Sequence, residues 1–227
     1  MKSLYLILIV LVLFSCSEKV IQLPETTNKD ILKVEDVSSI YMFYNEAKDS
    51  LEFNRKNMIS TTNWLVAVDK RLILNQVLPH LQYLYEKRHG ESMHENKEAR
   101  NYFSCSNPEI QNLTLLDFTD VKYQTTPIAD FLLDLFSKPT TETNPLYVNV
   151  KTEDSVIVGS QMFVKTTSKE NLVSIVDSLS KSNTVKDELF LTFKEDLTFQ
   201  DYIAIKTLTL ELNPENVYVA NTEFIYN

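Results

Sequence analysis

Glycine is nearly absent from this chain. Of 227 residues only Gly90 and Gly159 are glycine. Phosphate-cradling loops, dinucleotide fingerprints and nucleophile elbows need several glycines close together, because their backbones turn tightly and approach a ligand closely. None can be written with two glycines this far apart, which excludes most nucleotide-dependent chemistry and the usual serine-hydrolase elbow. Turns that need positive φ fall to Asn and Asp. Cysteine is equally scarce, with Cys16 and Cys105 alone. Histidine occurs three times, as His80, His89 and His94. His89 and His94 would stand about 140° apart on a helix, and His94-Glu95 has no second histidine at zincin spacing. His89, Glu91, His94 and Glu95 could compose a metal set, but the polar run from 88 to 101 reads as a solvated loop or helix extension. No metal ligand and no cofactor is assigned. Positive charge is also in deficit, with 22 Lys and Arg against 31 Asp and Glu. A net charge of −9 gives no electrostatic reason to bind nucleic acid or anionic lipid. Beyond the N-terminus no apolar run approaches the ~18 residues of a membrane helix.

What is present begins at that N-terminus. Met1-Lys2 gives a short positive start, and Leu4 to Phe14 is unbroken apolar sequence ending in Leu13-Phe14-Ser15-Cys16. Polar Ser17-Glu18-Lys19 follows at once. A charged start, a short apolar run and a small residue at the cut form a secretory signal. The apolar run is about half the ~20 residues a spanning helix needs. The segment also resembles a bacterial lipoprotein signal. That resemblance implies a signal peptide over 1–15, cleavage before Cys16 and a lipid on the Cys16 sulfur. Two acyl chains already give stable anchoring. Ser17-Glu18-Lys19 resembles the export tag of surface lipoproteins in the Bacteroidota. The expected place is therefore the cell envelope, at the outer membrane, with the periplasmic or surface leaflet left open. Cys105 would then be the one free thiol, read as a small buried hydrophobe or else a reactive group.

Residues 16–37 are polar and read as a flexible tether placing the body on the order of 25 Å from the lipid. After it, alternation predicts strands at Ser39–Tyr44, around Leu51 and Phe53, and at Trp64–Val68. Leu74, Val77, Leu78, Leu81, Leu84 and Tyr85 recur at helical spacing, with Pro79 sitting awkwardly among them. Leu113–Phe118 and Val121–Tyr123 read as strands. Thr126-Pro127 starts a helix whose stripe is Ile128, Phe131, Leu132, Leu135 and Phe136. Residues 138–145 form a Pro-containing linker. Then come a hairpin over Leu146–Val158, a capping box at Thr167-Ser168-Lys169-Glu170 and a helix carrying Leu172, Ile175, Val176 and Leu179. A strand at Leu189–Phe193, a helix over Phe199–Leu210 and strands at 217–220 and 224–226 complete the chain. The expected class is α+β, as two similar small domains, 38–137 and 146–227, with one merged domain as the alternative the length also allows. Each would be a mostly antiparallel sheet with helices on one face.

The halves echo one another. Residues 66–77, VAVDKRLILNQV, lie over 191–202, LTFKEDLTFQDY, and 118–123 lie over 221–226. The first pair reads strand, charged turn, then amphipathic helix. This unit resembles the periplasmic domain of ExbD/TolR-type biopolymer-transport proteins, whose order of elements residues 146–227 follow throughout. Residues 38–123 follow it in part, since no helix fits between Leu51 and Trp64. The resemblance implies a periplasmic docking module contacting protein or cell wall. The membrane helix and Asp that couple proton flow in that family have no counterpart here.

For chemistry, Asp117 and Asp120 form a carboxylate pair of the kind used in glycoside hydrolysis, or a turn cap. His80 falls on the polar face of its helix and is expected to be exposed. The aromatic stretch Tyr41–Tyr44 is core, rim or an interaction surface. The leading expectation is a non-enzymatic, lipid-anchored envelope protein that docks a protein partner or cell wall. The alternative is an envelope hydrolase built on the carboxylate pair or Cys105.

Overall fold

The computed structural model describes residues 19–90, 96–137, 143–180 and 185–227. Two mixed sheets carry the fold. The first contains β1 (Val37–Asn45), β2 (Ser50–Asn54), β3 (Asn63–Val68), β4 (Asn101–Asn107) and β5 (Asn112–Asp117) in the order β2-β1-β3-β4-β5. The second contains β6 (Lys122–Thr125), β7 (Asn144–Thr152), β8 (Ser155–Gly159), β9 (Val164–Thr167), β10 (Asp187–Lys194) and β11 (Val217–Tyr226) in the order β6-β11-β10-β7-β8-β9. Four α-helices connect them: α1 (Leu74–His89), α2 (Ile128–Ser137), α3 (Leu172–Ser180) and α4 (Phe199–Thr209). The α+β class is as expected. Antiparallel pairing, however, is confined to the hairpins β1–β2, β4–β5 and β7–β8–β9. The centre of each sheet is parallel, because β3–α1–β4 and β10–α4–β11 are crossover units. A helix between two strands of one sheet returns the chain to the same end, and the reading of the sequence did not join strand to strand in this way.

The buried apolar residues form one contiguous core drawn from both halves, including Ile40, Trp64, Leu81 and Phe103 with Val148, Leu191, Phe199 and Tyr202. Phe103 stacks on Phe118 at 3.8 Å and meets Phe199 edge-on at 5.1 Å. Strand β6 follows the first sheet in sequence yet pairs with β11 in the second. The 118–123 segment is therefore in part a neighbour of 221–226, and the topological counterpart of β11 is β4. Gly159 is needed for space, since a Cβ there would lie 2.4 Å from the Tyr147 ring.

The other repeat has a geometric consequence. Ile73 and Thr198, which the repeat superimposes, face each other in an isolated antiparallel bridge. The bonds around it are reciprocal. Leu74 N–H donates to the Leu197 carbonyl (2.9 Å) and Phe199 N–H to the Leu72 carbonyl (2.7 Å). Asn75 N–H donates to Glu195 (2.9 Å) and Gln200 N–H to Lys70 (3.2 Å). Equivalent residues exchanging equivalent bonds is the signature of an isologous contact, so a local twofold relates the two turn–helix units. The ion pairs of the turns keep position with opposite sign, Asp69–Arg71 in one and Lys194–Asp196 in the other.

Four sequence expectations change. The tether over 16–37 does not hold where it is described from residue 22 to 31, which form a strap bound to the body. Lys70 N–H donates to the Gln22 carbonyl (2.7 Å), Thr26 N–H to Ser106 (3.0 Å), Ser106 N–H to Pro24 (2.9 Å) and Leu115 N–H to Ile31 (2.9 Å). The β3–β4 ladder stops at Val66 and Phe103, so Ser106 needs other partners and the strap supplies them. The linker expected over 138–145 lies outside the described residues from 138 to 142, while Asn144 and Pro145 belong to β7. The capping box at Thr167 is not formed, because Thr167 ends β9, and a short 3₁₀ turn over Lys169–Asn171 precedes α3. The box occurs instead at α4, where the Thr198 hydroxyl accepts from Asp201 N–H and the Asp201 carboxylate accepts from Thr198 N–H. Last, the polar stretch read as a loop to residue 101 gives way to β4, a strand with no sequence expectation of its own.

Candidate functional site

The chemistry nominated from sequence is dispersed or spent. Cys105 lies fully buried in β4, and burial pushes its thiol up to about 12, which keeps it protonated and inert. Asp117 and Asp120 do meet, around Arg100. Asp117 accepts from Arg100 Nε (2.8 Å), Thr119 N–H (2.8 Å) and the Thr119 hydroxyl (2.7 Å). Asp120 lies 3.1 Å from Arg100 Nη2 and 3.4 Å from His89 Nε2. The turn-capping reading describes Asp117, and Arg100 forms ion pairs with both carboxylates. His89 stacks on Tyr85 at 4.2 Å. His94, Glu91, Glu95 and Cys16 lie outside the described residues. Among the described residues no three His, Cys, Asp or Glu side chains converge as a metal ion requires. His80 is half-buried against Phe53 at 4.5 Å, not exposed as expected, and burial, then the Arg55 charge, pushes its pKa down. In β1, Ile40 and Met42 are core, while Tyr41 and Phe43 stack at 5.6 Å on the half-exposed face.

A buried polar cluster was missed. In β11 the register advances by four positions, from Val219 to Glu223, against only two in β10, from Leu189 to Leu191. Such a bulge re-aims side chains, and here the buried one is Glu223. Its Oε2 accepts from the Tyr202 hydroxyl (2.8 Å) and its Oε1 from Lys206 Nζ (2.5 Å). The Tyr202 and Tyr123 hydroxyls lie 3.1 Å apart. Burial, then the Glu223 charge, raises both tyrosines well above their ordinary value, so they remain neutral donors. Glu223 is fully enclosed, and a compensated buried network of this kind fixes β6, α4 and β11 to one another. The one sequence signal was Tyr202 and Lys206 at i and i+4 on a helix face.

The concave feature with the most apolar lining is a groove of about 340 Å³. Its floor is the Ala204, Thr207 and Leu208 stripe of α4, with Pro108 of the β4–β5 turn opposite and Thr26 and Thr27 of the strap along one side. Glu25, Glu109, Glu170 and Glu211 stand at its margin with Lys169. The volume lies at the low end of ligand sites. The walls are fixed: the Thr26 and Thr207 hydroxyls are 2.6 Å apart, and the Gln200 amide accepts from Glu25 N–H and donates to its carbonyl. Comparison with protein-family models, with curated proteins and with solved structures returned no match.

Proposed function

We propose that this is a lipid-anchored cell-envelope protein acting as a non-enzymatic docking module for a protein partner or cell wall. The observation that carries the reading is the Leu13-Phe14-Ser15-Cys16 junction, apolar before and polar after. Among the described residues no helix is long and apolar enough to cross a membrane; in this reading the lipid on Cys16 supplies attachment. The strap also shortens the expected distance from the bilayer. Gln22 N–H is bonded to Asp69 at 3.2 Å, and the six residues from Cys16 to Gln22 reach at most roughly 20 Å. Lys19, only three residues from Cys16, pairs with Glu52, so the body would sit close against the membrane with the β1–β2 hairpin and the adjacent Asp69–Arg71 turn nearest to it. The nominated nucleophile is buried and protonated and the nominated carboxylates are held in ion pairs with Arg100, which favours docking over hydrolysis. The test is to feed an alkyne-bearing fatty acid to cells making the wild type or Cys16→Ala, and to crosslink their envelopes. Wild type takes up the label and crosslinks to a discrete partner or to wall material, and Cys16→Ala takes up none. An unlabelled wild type, or one that crosslinks to nothing, overturns the proposal.

A further inference from the structure

The groove on α4 has a chemical character that selects among partners. Ala204, Thr207 and Leu208 recur at i, i+3 and i+4, one helix face, with Glu211 just past the helix end, while Phe199, Tyr202, Ile203 and Ile205 turn the rest of α4 into the core. The helix therefore presents an apolar strip in a groove whose margin is acidic. Lys169, the cation at that margin, is bound to Glu153 at 2.7 Å. Glu25 and Glu109 have lysine partners, Lys70 at 2.9 Å and Lys29 at 2.8 Å. Glu170 and Glu211 have no ion-pair partner among the described residues. An apolar floor rewards burial of an aliphatic side chain, and low-dielectric walls strengthen the field of the carboxylates above it. Anionic lipid, nucleic acid and acidic peptide are all repelled by that margin.

We propose that this groove docks an extended segment of a partner protein in which one or two aliphatic side chains are flanked by Lys or Arg. The inference rests on the docking reading above and gives it a surface and a ligand class. The groove is open to solvent and small, so it suits side chains of a chain lying along the margin better than a whole enclosed ligand. Its walls are preformed by the strap, so little ordering is needed on binding. The exposed carboxylates of Glu170, which also accepts from the Ser168 side chain, and of Glu211 meet the cations, and Ala204 and Leu208 meet the aliphatic groups.

The test uses the full chain in nanodiscs of neutral lipid, titrated into a fluorescein-labelled Lys-Leu-Lys-Leu-Arg-Leu peptide, with empty nanodiscs subtracted. The expected result is saturable binding that weakens severalfold between about 50 and 200 mM salt. It should weaken at least about tenfold in the double variant Glu170→Lys, Glu211→Lys, both exposed positions whose exchange spares the core. Ala204→Trp, which fills the groove, should abolish it. Equal binding of a Glu-Leu-Glu-Leu-Glu-Leu peptide, or of spermine alone, overturns the proposal, as does unchanged affinity in the double variant with an unchanged far-UV spectrum. Fatty-acid labelling of Cys16 in the same variants separates the two readings. Retained label and crosslinked partner with no peptide binding removes the groove alone, and peptide binding without label removes the envelope reading alone.

Discussion

Arg88 shows how a single side chain ties together segments that the sequence leaves unrelated. Its guanidinium donates to the Ser60 carbonyl (2.9 Å), the Thr62 carbonyl (3.0 Å) and Asn101 Oδ1 (2.8 Å), and lies 3.8 Å over the Trp64 ring. Its partners are neutral, and burial brings its pKa down to about 10. Arg88→Ala would leave three acceptors wanting and remove the stacking, a loss of about 3 kcal/mol in urea unfolding. Arg88→Lys would restore little, because an ammonium cannot reproduce the planar fork. Asp69 gives a pH signature. Burial raises its pKa, but bonds from the Arg71 side chain, Arg71 N–H and Gln22 N–H outweigh it and hold the carboxyl below its ordinary value. A carboxylate depressed in the folded state contributes stability that is complete above its unfolded pKa and is lost as pH falls through the folded one. Asp69→Asn should therefore flatten the acid limb of the stability profile below about pH 4 and leave its shape above unchanged. Neither role was legible in the sequence, where Arg88 looked like part of a solvated run and Asp69 like one member of a charged turn. Only tertiary contacts distinguish a buried charge from an exposed one.

At the scale of elements, periodicity served where a face is wholly apolar. Leu74 to Leu84 gave α1 at once, and Leu189–Phe193 gave β10. It failed at β4, whose Asn101, Ser104, Ser106 and Asn107 interrupt the apolar pattern although the strand is buried almost throughout. Tertiary bonds take up several of those polar groups, as when Asn101 Oδ1 accepts from Arg88 Nε (2.8 Å) and Asn107 donates to the Asn28 carbonyl (3.0 Å), although Asn101 Nδ2 is buried without a partner among the described residues, and no local pattern announces them. The strap failed for the complementary reason. It is polar because it hydrogen-bonds, and polarity alone reads as solvation. The difference is measurable by native-state hydrogen exchange. The amides of Thr26, Lys70, Ser106 and Leu115 should be protected well beyond loop rates, whereas a free tether would leave Thr26 exchanging at the rate of an unfolded peptide. The groove was likewise hidden, since its walls come from the strap, a hairpin turn and α4, three segments far apart in the chain.

Over the whole molecule, the repeat was readable as two stretches of twelve residues, but its outcome was not. Two similar small domains, or one merged domain, were expected; the units meet across a local twofold and share one core. That merger predicts one cooperative transition. Trp64, the sole tryptophan, reports the first sheet, and far-UV dichroism reports both sheets. Their urea midpoints should coincide, and separated midpoints would contradict a shared core. The acidic balance of the chain, met by an apolar groove with an acidic margin, makes basic, aliphatic partners the natural complement. The envelope reading on which this depends turns on one covalent feature. Intact-mass measurement of the native protein extracted from membranes should give a chain that begins at Cys16 and is heavier than its residues by two or three acyl groups. An unmodified chain beginning at Met1 would contradict the account.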